Sequence, residues 1–233
     1  MHQSGDVQAV TRTFVVNEVF ASLQGEGVRA GTANVFVRFS GCNLACSMEA
    51  GPRSPGNFDC DTEFVSGRKL TLTELHNLVI EIAGDKVKWL ILTGGEPALQ
   101  VDKAFCDYFH AQGYMLAIET NGSIELPKGP PDRDFDGNQT GDERAYIDWI
   151  TVSPKVAEHC IRQKVADEVK YVRGYGQGIP KTVVKADHYL ISPAFNGTLL
   201  DTKTLDWCVR LCLDNPQWRL SVQQHKQLFG GIR

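Results

Sequence analysis

The stretch Val35-Phe36-Val37-Arg38-Phe39-Ser40-Gly41-Cys42-Asn43-Leu44-Ala45-Cys46 decides how this chain is read. Its first five residues form a β-branched and aromatic run of strand length, and the turn after it delivers two cysteines. A third follows a Gly-, Pro- and Ser-rich run, in Phe58-Asp59-Cys60-Asp61-Thr62. Thiolates are soft ligands suited to zinc or to iron–sulfur clusters. Clustered cysteines in a chain without the basic-then-apolar start of an export signal read as metal ligands rather than disulfide partners. A structural zinc wants a fourth Cys or His. His76 is the nearest downstream histidine, but it lies in a predicted helix facing Leu72 and Val79, a packing position. Three thiolates on a four-iron cluster instead leave one iron open.

Five further apolar runs have strand character: Trp89–Leu92, Tyr114–Ile118, Trp149–Val152, Val169–Val172 and Tyr189–Ile191. Helical periodicity fills most of the gaps. Thr71 with Glu74 fits a capping box opening a run with Leu75, Leu78, Val79 and Ile82. Asp102 to Gln112 is a second helix, and Asp201 to Asp214 a third with Leu205, Val209 and Leu213 on one face. The alternation predicts an α/β fold, a partial (open) parallel β/α barrel of about six βα units. Residues 127–144 are rich in Pro, Gly and Asp and read as an exposed loop, and residues 1–12 as a polar extension before a single domain spanning 13–233.

Composition excludes several classes. A net charge of −4 with scattered basic residues gives no footprint for a nucleic-acid backbone. No apolar run is long enough to cross a bilayer, so a cytoplasmic protein is expected. Seven cysteines, an odd number, argue against a pure disulfide framework. Cys208 and Cys212 repeat the spacing of Cys42 and Cys46 within a helical pattern, and read with Cys106 and Cys160 as structural residues. Spacing alone therefore proves little.

Position says more. The strands exit into Ser40-Gly41-Cys42, Thr93-Gly94-Gly95-Glu96-Pro97, Glu119-Thr120-Asn121-Gly122, Ser153-Pro154-Lys155, Arg173-Gly174 and Ser192-Pro193. Active sites of parallel α/β folds lie at these carboxyl ends. Turn chemistry explains the Gly, Pro, Ser and Asn there, but not Glu96, Glu119 and Lys155.

These motifs, with Leu23-Gln24-Gly25-Glu26-Gly27 before them and Gln223-Gln224-His225-Lys226 near the end, resemble the radical S-adenosylmethionine (SAM) enzymes. More narrowly the chain resembles the 7-carboxy-7-deazaguanine synthases of queuosine and 7-deazapurine synthesis. The resemblance implies that Cys42, Cys46 and Cys60 hold a 4Fe–4S cluster whose open iron binds SAM. It implies that Gly94 and Gly95 bring amides to the methionine end, that Glu96 accepts from its ammonium, and that Asn121, Ser153, Pro154, Lys155 and Ser192 complete the SAM site. It implies a side-chain hydroxyl of Thr62 on Mg²⁺, and contacts to a carboxy-tetrahydropterin from Leu23, Gln24, Gly25, Glu26, Arg38, Thr93, Glu119 and His225. A 5′-deoxyadenosyl radical would take a hydrogen from C6 of that pterin before ring contraction and loss of ammonia. A homodimer and a flavodoxin- or ferredoxin-like reductant also follow from the resemblance.

Three departures stand out. Relatives have only two residues between the second and third cysteines, whereas thirteen, Ser47 to Asp59, intervene here. Loop closure costs grow only logarithmically, about 0.6 kcal/mol per doubling, so the ligands can keep their places. Phe58 stands near the aromatic position that usually precedes the last cysteine, and Ser192-Pro193 replaces a Gln-Pro. The tail Gln227 to Arg233 is longer and Gly-rich. Two other readings remain at this point. One is an activating enzyme for a glycyl-radical protein, which has no use for Gln24, Arg38 and Thr62 together. The other is a non-enzymatic zinc module on Cys42, Cys46, Cys60 and His76.

Overall fold

The structure is a computed structural model, and it describes residues 12–44, 46, 65–128, 146–196 and 198–228. The elements run β1 (Phe14–Leu23), β2 (Ala33–Phe39), β3 (Arg68–Leu70), α1 (Leu72–Ala83), β4 (Trp89–Gly94), α2 (Lys103–Ala111), β5 (Met115–Thr120), β6 (Trp149–Val152), β7 (Val165–Arg173), β8 (Lys185–Pro193), β9 (Phe195–Asn196), β10 (Leu199–Leu200), α3 (Thr202–Asp214), β11 (Trp218–Leu220) and α4 (Gln224–Leu228). Nine strands form one sheet in the order β11-β8-β7-β6-β5-β4-β2-β1-β3. From β2 to β11 every neighbouring pair is parallel, while β1 is antiparallel to both β2 and β3. All six sequence-predicted strands are present and adjacent in chain order. The insert at 47–59 lies outside the described residues, as do Cys60, Thr62, most of the extension at 1–12, most of the loop at 127–144 and the end of the tail.

Two expectations need correction. Among the described residues, helices fill the gaps before β4 and before β5 but not those on either side of β7. Between β6 and β7 there is only a 3-10 turn, Glu158–Cys160, and between β7 and β8 the chain is irregular. The causes are local: Pro154 opens the first connection, and Gly174, Gly176, Gly178 and Pro180 break any helix in the second. In α3 the face of Leu205, Val209 and Leu213 does not face the core. Val209 and Leu213 are exposed, and the helix buries Thr204 and Cys208. The cysteines thus occupy the packed face, as small buried hydrophobes.

The sheet has two unlike faces. One meets the helices: α1 packs on β1, α2 on β5, and α3 on β8 and β11. Its core holds Phe14, Phe39, Phe105 and Phe109 at no more than 1% exposure, with Phe14 and Phe105 edge-to-face at 5.2 Å. His76 belongs here, edge-on to Tyr108, Phe109 and Tyr114, and burial lowers its pKa. The half-buried imidazole thus packs among three aromatic rings, the position the sequence predicts for it.

The other face is organised in two rows. Phe20, Phe36, Ile91, Ala117 and Trp149 are register partners across five strands and make a separate apolar cluster. Two residues further along each strand, on the same face, come Arg38, Thr93, Glu119 and Thr151. Glu18 faces Arg38 from β1 and Glu168 faces Thr151 from β7, so the row spans six strands. A β-bulge between Val16 and Glu18 makes this possible. Phe14 and Val16 point to the helices, and the extra residue switches the alternation so that Glu18 and Phe20 point to the opposite face.

The helix caps match the sequence reading. Thr71 Oγ1 accepts from Glu74 N (3.2 Å) and Glu74 Oε2 accepts from Thr71 N (2.7 Å). Thr71→Ala is expected to cost about 1 kcal/mol, read as a lower urea midpoint at unchanged m-value.

Candidate active site

The polar row is crossed by the segment between β1 and β2, and this is where the sequence-predicted substrate residues meet. Gln24 Nε2 donates to Glu119 Oε1 (3.0 Å), and Thr93 Oγ1 donates to Glu119 Oε2 (2.9 Å). Glu26 reaches β7, where Lys170 pairs with one carboxylate oxygen, while Gln223 Nε2 donates to the other (2.6 Å). Burial alone would push the Glu26 pKa up; the Lys170 charge and the two hydrogen bonds overcome this and hold it at about 2. Glu26 is therefore a permanent carboxylate. The Gly25 carbonyl accepts from Gln224 N (2.9 Å), and a Cβ on Gly25 would fall 2.1 Å from Nδ1 of His225. Glycine is what lets His225 lie against this loop. Burial also lowers the pKa of His225, favouring the neutral imidazole. Arg38 shares the row, its Nε donating to Glu18 Oε1 (2.8 Å). Leu23 closes β1 at 38% exposure.

Two residues that anchor this loop are absent from the sequence reading. Glu168 accepts from Thr151 Oγ1 (2.8 Å) and from Val28 N (2.9 Å), and Lys170 holds Glu26. The signal was available. In Asp167-Glu168-Val169-Lys170-Tyr171-Val172 the charged residues alternate with buried apolar ones, but the apolar run alone starts the strand at Val169.

At the carboxyl ends of the strands, Cys42 follows β2 directly, and Leu44 N points at its Sγ (3.4 Å). Asn43 joins the cysteine turn to the β5 exit: its Nδ2 donates to Ser123 Oγ (2.8 Å), and its Oδ1 accepts from Asn121 Nδ2 (3.2 Å). Asn121 thus braces the turn. Ser153 N is tied to the Thr120 carbonyl (2.8 Å), Pro154 is half-buried and Lys155 is exposed.

The Gly94-Gly95-Glu96 segment differs from expectation. The N–H of Gly95 donates to the Phe39 carbonyl (3.0 Å) and that of Glu96 to the Gly41 carbonyl (2.9 Å), so neither is turned to a ligand. A Cβ on Gly94 (φ +115°) would sit 2.2 Å from the Phe39 oxygen, and one on Gly95 2.0 Å from the Gly41 oxygen. Both glycines serve the close approach of two backbones, and the Gly95 amide is engaged within the fold. The Glu96 side chain, 0% exposed, accepts from Thr120 Oγ1 (2.7 Å), Ala98 N (3.0 Å) and Asn121 N (2.8 Å). It knots the β4 and β5 exits rather than offering itself to an ammonium. Burial raises its pKa against these three donors.

The residues present fit a cluster and a SAM molecule. Cys42 stands at the β2 exit with an amide aimed at its sulfur, and Cys46 follows four residues on in sequence. Ser192, fully buried at the end of β8, has an Oγ without a partner among the described residues. Cys208 offers no rival: burial pushes its thiol up to about 12.

A family described as a 4Fe-4S single cluster domain matches residues 23–116. The 7-carboxy-7-deazaguanine synthase of Bradyrhizobium diazoefficiens is 36% identical over 95% of this chain and 100% of its own length. That of Bacteroides thetaiotaomicron is 38% identical over 91% of this chain and 95% of its own. Among solved structures, QueE from Escherichia coli superposes with a TM-score of 0.60 at 22% identity, covering 91% of this chain and 95% of that one, a likeness of fold. Strand-exit cysteines, a mostly parallel sheet and a single-cluster match define the class: an iron–sulfur enzyme of the radical SAM type. The chain belongs to the 7-carboxy-7-deazaguanine synthase family, whose members are lyases.

Proposed function

We propose that this chain converts 6-carboxy-5,6,7,8-tetrahydropterin to 7-carboxy-7-deazaguanine with loss of ammonia, residues 13–233 acting as one unit curved into a partial barrel. The observation that carries the reading is the polar row on the sheet face opposite α1, α2 and α3, crossed by the Gln24–Glu26 loop. When bound, the cluster and SAM supply one-electron cleavage of SAM and a radical able to take a hydrogen atom. The rest falls to the chain. Glu26, ionised at any working pH, accepts from the N–H edge of the amino-pyrimidinone ring, as does Glu119 beside it. Arg38 offers its fork to the substrate carboxylate. His225, Gly25 and Leu23 close over the ring and exclude water.

Cys60 would complete the cluster ligands and Thr62 would give its hydroxyl to Mg²⁺, a hard ion suited to an oxygen donor, waters and substrate oxygens. Ser192, Ser153, Pro154 and Lys155 border the SAM site, while Gly94, Gly95, Glu96 and Asn121 shape it from behind. A homodimer in the cytoplasm, reduced by a flavodoxin- or ferredoxin-like partner, completes the proposal. The test is direct: protein reconstituted anaerobically with iron and sulfide is given SAM, reductant, Mg²⁺ and the carboxy-tetrahydropterin, and product is sought by mass. Appearance of 7-carboxy-7-deazaguanine is expected. SAM cleavage without it would keep the class and sink the substrate assignment.

A further inference from the structure

The Glu26–Lys170 pair is a costly thing to build unless something uses it. The two side chains are only 14% and 10% exposed. They come from segments 144 residues apart. A buried ion pair seldom outperforms apolar packing of the same volume, so its presence asks for a second reason. Lys170 shares its face of β7 with Glu168, and its charge also meets Glu119 and Glu168. It is the ammonium among three carboxylates around the loop.

We propose that Lys170 is a positioning residue of the pterin site, fixing Glu26 as an aimed, ionised acceptor for a ring that presents adjacent N–H donors. The inference rests on the assignment of Glu26 to the pterin. An ionised carboxylate has about four acceptor positions, of which Lys170 and Gln223 take two, leaving both oxygens able to receive a ring N–H and an exocyclic amine. Without Lys170, burial would favour the protonated acid, which presents a donor where the ring also presents donors. Lys170 thus selects the ring without touching it.

The probe is 6-carboxypterin, titrated by its fluorescence into the reconstituted enzyme with SAM. The charged groups facing Glu26 are Lys170 from β7 and His225 from α4, and Lys170 in turn meets Glu119 from β5 and Glu168 from its own strand. In the wild type Glu26 is ionised throughout, so affinity should be flat between about pH 6 and pH 7, below the range in which the pterin's own ring N–H ionises. Lys170→Met should weaken binding about 10- to 100-fold at the acid end and recover part of the loss as pH rises, because the ionised fraction of an unassisted buried acid grows with pH. Lys170→Arg, which keeps the charge, should keep the flat profile and most of the affinity. A merely structural pair would give a loss equal at every pH, and that result overturns the proposal. So does pH-dependent binding by Lys170→Arg, which decides the matter if Lys170→Met does not fold. Glu26→Gln separates the two layers of argument. If it leaves binding unchanged, the assignment of Glu26 to the pterin fails and takes this proposal with it. If it weakens binding while Lys170→Met does not, only the role of Lys170 fails.

Discussion

Gly95→Ala is expected to destabilise the fold by about 3–5 kcal/mol and to strip the protein of most of its cluster. The added Cβ would fall 2.0 Å from the Gly41 oxygen, 2.6 Å from the Gly41 carbonyl carbon and 3.2 Å from Cys42 N. None of these atoms belongs to a side chain that can swing aside. The Phe39–Cys42 turn must therefore back away, and it loses the bonds from Gly95 N (3.0 Å) and Glu96 N (2.9 Å) that dock it on β4. Each is worth about 1 kcal/mol net, and overpacking adds about 1–3. The functional loss follows from position: Cys42, the first of the proposed cluster ligands, sits on the displaced turn. Gly113→Ala is the control. Its φ of +80° makes alanine costly by about 1–2 kcal/mol, but no atom lies within 4 Å of the new Cβ. Iron and sulfide per chain after anaerobic reconstitution decide between them, at a temperature where both variants are folded. Wild-type loading in Gly95→Ala would sink the idea that backbone approach at this glycine holds the cysteine turn.

That prediction marks the boundary of what the sequence makes legible. The six parallel strands, the Thr71 cap and the exit positions of the cysteines are local signals, and local periodicity predicts them correctly. What a glycine is for depends on the atom opposite it. Gly94 and Gly95 are expected to bring amides to a ligand, and their close approach to Phe39 and Gly41 shows only once those residues are seen against them. β1 is concealed for a different reason. Its alternation breaks at the bulge beside Asn17, so neither a period-2 nor a helical template fits Phe14 to Leu23 end to end. In α3, Leu205, Val209 and Leu213 make the more apolar stripe, yet Thr204 and Cys208 are the residues the sheet covers. Cys208 sits there with its Sγ 3.7 Å from the Arg173 carbonyl. Lys170 and Glu168 lie on a strand that the apolar run identifies, on the face that an apolar run does not report.

Glu96→Ala should be among the most damaging single changes at the site. Three donors converge on this carboxylate, from Thr120, Ala98 and Asn121, and truncation leaves all three without their acceptor in a buried place. An unsatisfied buried donor costs about 1–3 kcal/mol, so a total loss of about 3–5 kcal/mol is expected, with the exits of β4 and β5 released from one another. Glu96→Gln is the sharper probe. Its amide has one oxygen, so it can serve either the Thr120 and Ala98 side or the Asn121 side but not both, and a smaller loss of about 1–3 kcal/mol follows. The sign of the pH dependence is fixed by burial, which raises the Glu96 pKa above its unfolded value. Stability gained from the protonated group is complete below the unfolded pKa and is lost as pH rises through the higher folded one. The advantage of wild type over Glu96→Gln, measured by urea unfolding, should therefore be largest near the acid end and shrink towards a plateau as pH increases. An advantage that grows with pH would mean that the three donors, rather than burial, set the charge state of Glu96. The carboxylate would then be a standing negative charge at the β4 exit, available to an ammonium after all.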